Sequence, residues 1–232
     1  MGESDRRAKT RRPILAIDGP AGAGKSTVAR GAAARLGFTY IDTGAMYRGV
    51  ALAARRRGLN LNDPEALGRI AAETGFSFRQ AEGTTRLLLD GEDVSDAIRR
   101  PEISGLASEI ATFPGVRAAL VEKQRRLGAE GGIVMEGRDI GTVVFPQAEV
   151  KVYLDATPQE RARRRRADLA KQGVDVSLEQ VLRDIEERDR RDSTRADSPL
   201  RLAPGATRVI TDGLSIEEVI DRLVRLVEEK GS

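Results

Sequence analysis

The chain has 232 residues, of which 40% are hydrophobic and 32% charged, so it can bury one large core and is not expected to be disordered. It contains neither cysteine nor histidine, which excludes disulfides, thiolate metal sites, histidine acid–base chemistry and the common zinc sites. A net charge of only +3 argues against a nucleic-acid coat, and the lack of a long apolar run or signal-peptide core predicts a cytoplasmic protein.

The chain begins with a polar segment and then turns apolar. Residues 1–12 carry mixed charges and several arginines, and we expect them to form a flexible tail. Pro13–Asp18 is predicted to be a buried strand. Lys25–Leu36 is predicted to be a helix that ends at Gly37.

The turn between this strand and helix has the phosphate-loop pattern Gly19-x-x-x-x-Gly24-Lys25-Ser26 in its usual strand–loop–helix context. Glycines let several backbone N–H groups turn onto one anion, and the helix dipole adds positive potential. We expect Lys25 to reach the β and γ phosphates of a nucleotide and the Ser26 hydroxyl to bind Mg²⁺. A plain glycine-rich turn would require neither residue, and a dinucleotide fingerprint would require Gly or Ala where Thr27 stands. The expected phosphate-binding residues are Gly19, Pro20, Ala21, Gly22, Ala23, Gly24, Lys25, Ser26 and Thr27.

The next part of the chain is expected to leave the strand–helix alternation. A strand over Phe38–Ile41 and a helix from Gly44 to about Arg57, capped by Asp42-Thr43, come first. Asp63-Pro64-Glu65 then starts another helix. Between Gly75 and Val94, Phe76-Ser77-Phe78 alternates, Gln80–Thr84 holds a turn signal and Arg86–Leu89 is β-rich, which predicts a hairpin or small antiparallel sheet. We therefore predict an inserted subdomain over about residues 62–104.

The second half returns to alternating helices and strands. In chain order we predict helices over Pro101–Thr112 and Pro114–Gly128, strands over Gly132–Met135 and Val150–Leu154, a helix from Thr157 to about Lys171, a helix from Ser177, a strand over Arg208–Thr211 and a helix from Ser215. The five core strands alternate with helices, which predicts an α/β fold with a parallel sheet covered on both faces.

Acidic residues stand where three of these strands end. Asp18 ends the first strand, Asp42 follows the second, and Glu136 follows the third. Ligands of parallel sheets bind beyond the carboxyl ends of the strands. Asp18 or Glu136 could therefore hold Mg²⁺ directly or through water, with solvated loop acids as the alternative.

The predicted helices that begin at Thr157 and Ser177 are rich in arginine. Arg188, Asp192 and Arg195 are spaced to share one face if their helix continues that far. Arg161, Arg164 and Arg165 lie on the preceding helix. On the residues alone, a charge-laced solvated helix remains an open explanation of both patterns.

From Ile14 to the final helix the chain resembles the bacterial cytidylate kinases. The phosphate loop is shared by many NTPases, whereas the second and fourth of the matching stretches are far more specific. These stretches are Ile17–Ser26, Asp42-Thr43-Gly44-Ala45-Met46-Tyr47-Arg48, Gly91–Ser95, Glu136-Gly137-Arg138-Asp139-Ile140-Gly141-Thr142-Val143-Val144-Phe145-Pro146 and Glu187–Asp192. Thr43 stands where some members have Ser, and Glu136 where some have Asp.

The resemblance implies a P-loop kinase with a parallel five-stranded sheet covered by helices on both faces, a small inserted antiparallel sheet subdomain and a helical lid. The implied core comprises residues 13–61 and 105–232, with the lid over about 157–195. The implied reaction transfers a phosphoryl group from ATP to CMP or dCMP with Mg²⁺, in a protein expected to be a monomer without nucleic-acid or membrane partners.

The resemblance also assigns roles to individual residues. Lys25, Arg138, Asp139 and Arg188 would form the catalytic group, and three lid arginines, Arg161, Arg164 and Arg165, would close over ATP. Asp139 would accept from the exocyclic amine of cytosine and so favour cytosine over uracil. The implied CMP site comprises Thr43, Tyr47, Arg48, Ser108, Arg117, Arg138, Asp139, Arg188, Asp192 and Arg195.

Three other functions compete with this interpretation. The same core could serve a kinase that acts on UMP, AMP or shikimate. A nucleotide-switched, GTPase-like binding protein would need an Asn-Lys-x-Asp type motif, which the chain lacks. A nucleic-acid-binding protein is disfavoured by the aromatic content of only 3%.

Overall fold

The structure is a computed structural model that describes residues 11–81, 84–171 and 173–230. Its strands and helices are, in chain order, β1 (Arg12–Asp18), α1 (Lys25–Leu36), β2 (Thr39–Asp42), α2 (Thr43–Arg56), α3 (Pro64–Glu73), β3 (Phe76–Ala81), β4 (Thr84–Leu89), β5 (Glu92–Asp93), α4 (Pro101–Ile110), α5 (Pro114–Leu127), β6 (Gly131–Gly137), β7 (Val150–Asp155), α6 (Pro158–Lys171), α7 (Leu178–Thr194), β8 (Thr207–Ile210) and α8 (Ile216–Lys230).

Five parallel strands form the central sheet in the order β2-β6-β1-β7-β8, so β1 lies in the middle. The register pairs Asp18 with Gly137 and Asp42 with Glu136. The carboxyl ends of β1, β2 and β6 therefore meet at one edge of the sheet, directly above the glycine-rich turn. The five-stranded parallel sheet and the separate antiparallel sheet β3-β4-β5 confirm the predicted fold class.

Both faces of the central sheet are covered. Leu15 and Ile17 of β1 pack in one cluster with α1 and α8, whereas Ile14 and Ala16 pack in another cluster with α5. All four side chains are buried. A strand covered on both sides gains from apolar residues at every position, which is why β1 reads as a continuous apolar run.

A further apolar core lies beside the small sheet. Side chains of α2, α3, β4, α4 and α5 share it, among them Met46, Leu67, Leu87, Ile103 and Leu120. The small sheet thus packs against helices that lie outside residues 62–104 as well as within them. The division of the chain at these residues stays a proposal.

Helices α6 and α7 carry a small core of their own. Ala162 of α6 and Val181 and Ile185 of α7 form a small separate cluster. We call this pair of helices the α6–α7 hairpin. Its Arg191 donates to the Ser108 hydroxyl, and its Arg161 donates to the phosphate loop and packs against Gly22.

The observed bounds differ from the predicted ones by a few residues. Helix α2 begins at Thr43 because the Asp42 carboxylate accepts the Ala45 N–H at 2.9 Å, as a capping residue does. Strand β5 and one π-helical turn, Ile140–Val144, were not predicted. Residues 1–10, and part of the predicted turn at Gln80–Thr84, lie outside the described residues. Within the described ranges, no helix combines the length and apolar character needed to cross a membrane.

Gly131, at the start of β6, tests how closely this strand approaches β1, and Gly58 serves as its control. Gly131 has a φ of +70°, and a Cβ there would lie 2.1 Å from the backbone oxygen of Arg12. Gly58 has a φ of +62°, but no heavy atom of the described residues lies within 4 Å of its Cβ position. Both alanine substitutions incur left-handed strain of about 1–2 kcal/mol. Only Gly131→Ala adds a steric conflict with backbone, which costs about 1–3 kcal/mol more.

Urea unfolding followed by circular dichroism measures both variants. We expect the free energy of unfolding to fall distinctly further in Gly131→Ala than in Gly58→Ala. Equal losses would mean that the backbone of β6 relaxes away from β1 without penalty.

Candidate active site

The glycine-rich turn forms an anion cradle at the start of α1. Gly19, Gly22 and Gly24 have φ values of +152°, +78° and +88°. A Cβ on Gly19 would lie 2.0 Å from the carbonyl oxygen of Leu154, so only glycine lets the turn lie this close to β7. No side chain of the described residues caps α1, which leaves its first N–H groups available to an anion.

Lys25 lies within this cradle and is 7% exposed. Its Nζ donates to the Pro20 carbonyl oxygen at 2.7 Å. The pKa of Lys25 is lowered to about 7, chiefly by burial and then by the positive charge of Arg138. Arg188 contributes to this lowering, and the Glu136 carboxylate opposes it. Three cationic side chains therefore act on one small volume, which favours a ligand with several negative charges.

The Asp18 carboxylate is hydrogen-bonded to backbone N–H groups. Its two carboxylate oxygens accept the N–H groups of Ile140 and Gly141, each at 2.8 Å, and the side chain is buried. Burial raises the pKa of Asp18 to about 6 although both backbone hydrogen bonds lower it. The carboxylate thus fixes the start of the turn Ile140–Val144 against the end of β1.

Glu136 differs from Asp18 because its partners are side chains. Its Oε1 accepts from the Tyr40 hydroxyl at 2.5 Å. The Ser26 side chain lies near enough to the carboxylate to lower its pKa. Burial raises the pKa of Glu136, with the nearby Asp42 as the next cause. Asp42 in turn pairs with Arg48 at 2.8 Å. Glu136 and the exposed Ser26 offer hard oxygen donors of the kind that Mg²⁺ prefers.

A second cluster surrounds Asp139. The Arg117 guanidinium donates to one Asp139 oxygen and, at 3.2 Å, to the Tyr47 hydroxyl. Arg195 lies 3.8 Å from the other Asp139 oxygen. Arg117, Asp139 and Arg195 are all nearly buried side chains. These residues form a buried polar cluster in which Arg117 Nε and Arg195 Nη2 have no hydrogen-bond partner in the described part of the chain.

Helix α7 joins the two clusters. Arg188 and Asp192 lie one turn apart on it, and Asp192 accepts from Arg138 Nε at 2.8 Å. Burial, then Arg138, lowers the pKa of Arg188 to about 10, and its buried Nε has no hydrogen-bond partner in the described part of the chain. Because α7 continues to Thr194, with Arg195 as its C-cap, the predicted spacing does bring these three residues to one side of the site.

The predicted lid arginines have different surroundings. Arg161 donates to the Ala21 carbonyl oxygen at 3.0 Å. Arg164 pairs with Glu160 at 2.7 Å and donates to Thr211, whereas Arg165 is exposed.

Two further residues of the implied CMP site, Thr43 and Ser108, also form hydrogen bonds with protein groups. The Thr43 hydroxyl donates to the Glu136 backbone oxygen at 2.7 Å. The Ser108 hydroxyl accepts from Arg191 at 3.1 Å. These contacts join α2 to β6 and α4 to α7.

The sequence analysis missed four residues that hold this site together. Asp197 lies 3.6 Å from Arg117, and Asp189 pairs with Arg161 at 2.6 Å. Tyr40 and Arg191 contact Glu136 and Ser108, respectively. Each contact spans 28 or more positions of the chain, so no local spacing could have found it. Two of the four residues, Asp189 and Arg191, lie within the quoted stretch Glu187–Asp192.

Comparisons with known proteins agree over nearly the whole chain. The sequence model of the family described as "Cytidylate kinase" matches residues 15–229. A cytidylate kinase of Pelotomaculum thermopropionicum is 53% identical, with 93% of this chain and 96% of the relative covered. A cytidylate kinase of Syntrophotalea carbinolica is 49% identical, with 95% and 94% covered.

Other relatives are longer. A bifunctional pantoate ligase/cytidylate kinase of Synechococcus sp. (strain JA-3-3Ab) is 53% identical over 94% of this chain, which spans only 41% of that relative's length. Among solved structures, an uncharacterized protein from Eubacterium ventriosum ATCC 27560 has a TM-score of 0.51, with 94% of this chain and 99% of that chain covered. At 11% identity this likeness shows the fold alone.

The bonds of Asp18 predict the effect of Asp18→Asn. An amide side chain keeps the size but has one accepting oxygen, so one of the N–H groups of Ile140 and Gly141 would face an NH₂ group. In the wild-type chain the raised pKa of Asp18 makes the free energy of unfolding fall as the pH rises from about 4 to about 6, because the folded state holds this proton more tightly than the unfolded state does. We expect Asp18→Asn to remove this part of the pH dependence, as measured by urea unfolding across this pH range. An equally steep pH dependence in the variant would show that Asp18 is not the group that titrates.

Proposed function

The chain belongs to the cytidylate kinase family, and on this basis we propose that it transfers the γ-phosphoryl group of ATP to CMP or dCMP. The observation that carries the proposal is the closeness of three buried or half-buried cationic side chains, Lys25, Arg138 and Arg188, at the glycine-rich turn that precedes α1. The buried polar cluster around Asp139 supplies further donors and acceptors.

Phosphoryl transfer depends on positioning and on charge stabilisation, and it needs no histidine or cysteine nucleophile. The two phosphate groups that must meet repel each other. Lys25 and the N-terminus of α1 would hold the ATP phosphates, while Arg138 and Arg188 would approach from the other side. Guanidinium groups suit this task because their planar forks match phosphate oxygens and stay charged.

A divalent cation completes the charge balance. We propose that Ser26 and Glu136 hold Mg²⁺, directly or through water, because their oxygens adjoin the cradle and Asp18 is already bonded to the backbone. When bound, the ion would neutralise charge on the β and γ phosphates. Tyr40 would keep Glu136 turned toward Ser26.

The cluster around Asp139 is proposed to read the base. Asp139 would accept from the exocyclic amine of cytosine, and Arg117 or Arg138 would donate to ring acceptors. Uracil has an oxygen in place of that amine, which would face the Asp139 carboxylate. In this proposal, Tyr47, Arg48, Ser108, Asp192 and Arg195 complete the acceptor site together with Thr43.

The proposal is tested by measuring ADP release from Mg²⁺–ATP with CMP, dCMP, UMP, AMP or shikimate as acceptor. A blank without acceptor reports hydrolysis. Turnover with CMP and dCMP is the expected result. Turnover with another acceptor alone would keep the kinase core and refute the base assignment, and nucleotide binding without acceptor-dependent turnover would favour a nucleotide-switched binding protein.

Asp139→Ala should lower the preference for CMP over UMP. Loss of one good base contact corresponds to about 1–3 kcal/mol of discrimination, so we expect the ratio of kcat/KM values for CMP and UMP to fall about tenfold or more. Asp197→Ala is the matched control, because Asp197 also lies near Arg117 but is 47% exposed. An unchanged ratio in Asp139→Ala would refute the assignment.

Glu136→Gln should raise the Mg²⁺ concentration needed for half-maximal ATP binding, because the neutral amide is a weaker ligand for a hard cation. Calorimetric titration of ATP at several Mg²⁺ concentrations measures this shift. Asp18→Asn is the control and should leave the Mg²⁺ dependence in place. The opposite outcome, with only Asp18→Asn shifted, would assign the ion to β1.

A further inference from the structure

Arg161 connects three separate segments of the chain through one buried guanidinium group. Its Nε donates to the carbonyl oxygen of Ala156, at the end of β7, at 3.0 Å. Its Nη1 donates to the carbonyl oxygen of Ala21 in the phosphate loop at 3.0 Å and lies 2.6 Å from Asp189 of α7. The side chain is 5% exposed.

The same residue also packs on the loop. A Cβ placed on Gly22 would lie 3.1 Å from both the Cβ and the backbone oxygen of Arg161. Gly22 therefore has two reasons to be glycine, its φ of +78° and the contact with α6. The loop is held on this side by a hydrogen bond at Ala21 and by close packing at Gly22.

The hydrogen bond at Ala21 fixes the orientation of a peptide group. In a planar trans peptide the C=O and the N–H point in opposite directions. A guanidinium that holds the Ala21 C=O toward α6 therefore directs the Gly22 N–H away from α6. An N–H group oriented in advance binds an anion without the cost of reorganising the loop.

We propose that Arg161 is a positioning residue of the phosphate loop, which it orients through Ala21, and that Asp189 in turn fixes Arg161. Its Nε and Nη1 groups are held by protein oxygens, so its effect on a bound nucleotide passes through the loop. The inference rests on the proposed binding of nucleotide at this loop. It assigns to Arg161 a role different from that of an arginine that closes over ATP.

The two roles differ in what they do to ADP. A loop that is less well oriented loses affinity for ADP and ATP alike, whereas loss of a γ-phosphate contact weakens ATP far more than ADP. The measurement is calorimetric binding of Mg²⁺–ADP and of a non-hydrolysable ATP analogue to the full chain. We expect Arg161→Met to weaken both nucleotides by the same factor, about tenfold, which corresponds to about 1.4 kcal/mol.

Further variants separate charge from geometry. Arg161→Lys keeps the charge but cannot donate to Ala156, Ala21 and Asp189 at once, so it should lose most of the same affinity. Asp189→Asn should weaken both nucleotides less, and Arg161→Met/Asp189→Asn should be no weaker than Arg161→Met alone. Arg163→Gln is the matched control on the same helix, since Arg163 pairs only with Glu160 in the described chain and is 70% exposed. It should bind as the wild-type protein does.

Each outcome decides the proposal. ADP affinity unchanged in Arg161→Met, with a weakened ATP analogue, would overturn it in favour of a direct γ-phosphate contact. Additive effects of Arg161 and Asp189 would refute the link between them. If Arg161→Met does not fold, Arg161→Lys and Asp189→Asn carry the same comparison of ADP with the analogue. Absence of nucleotide binding by the wild-type protein would overturn both this inference and the proposed function, whereas failure with CMP as acceptor would leave this inference standing.

Discussion

The burial of several cations in one small volume around Lys25 is the constraint on which the site depends. Burial is the largest cause that lowers the pKa of Lys25 and of Arg188, and repulsion by the positive charge of Arg138 is the next. Their closeness is maintained by carboxylates, Asp192 on Arg138 and Glu136 near Lys25. A polyphosphate would relieve this repulsion, so the same arrangement that is unfavourable alone becomes favourable with a ligand. The positive charges that would attract a polyphosphate are thus already assembled in the ligand-free chain.

The sheet supplies the rigid frame for these charges. Strand register brings Asp18, Asp42 and Glu136 to one edge, and β1 is buried on both faces. Asp18 also accepts the backbone N–H groups of Ile140 and Gly141, the two residues that follow Asp139. The end of β1 thus fixes both the glycine-rich turn that follows it and the backbone beside Asp139. A displacement of β1 would move these two parts relative to each other.

Much of the fold could be predicted because its signals are local. The apolar run before Asp18, the cap at Asp42 and the alternation at the start of β3 are each readable in a short window. That Arg188 and Asp192 share one face of a helix followed from the helical period alone. The role of Asp18 could not be predicted, because a strand-end carboxylate looks the same whether it meets a metal ion or two backbone N–H groups. The direction of the Arg161 side chain was equally hidden, since its partners lie far away in sequence.

The α6–α7 hairpin has a consequence for motion. Its apolar cluster of Ala162, Val181 and Ile185 is separate from the larger cores, and it contacts the phosphate loop through Arg161. Segments built in this way form cooperative units that open at a lower free energy than the central sheet. Amide hydrogens of the hairpin would then exchange together while those of β1 stay protected. A nucleotide that stiffens the loop beside Arg161 would slow this exchange, so exchange in the hairpin would report whether the loop is occupied.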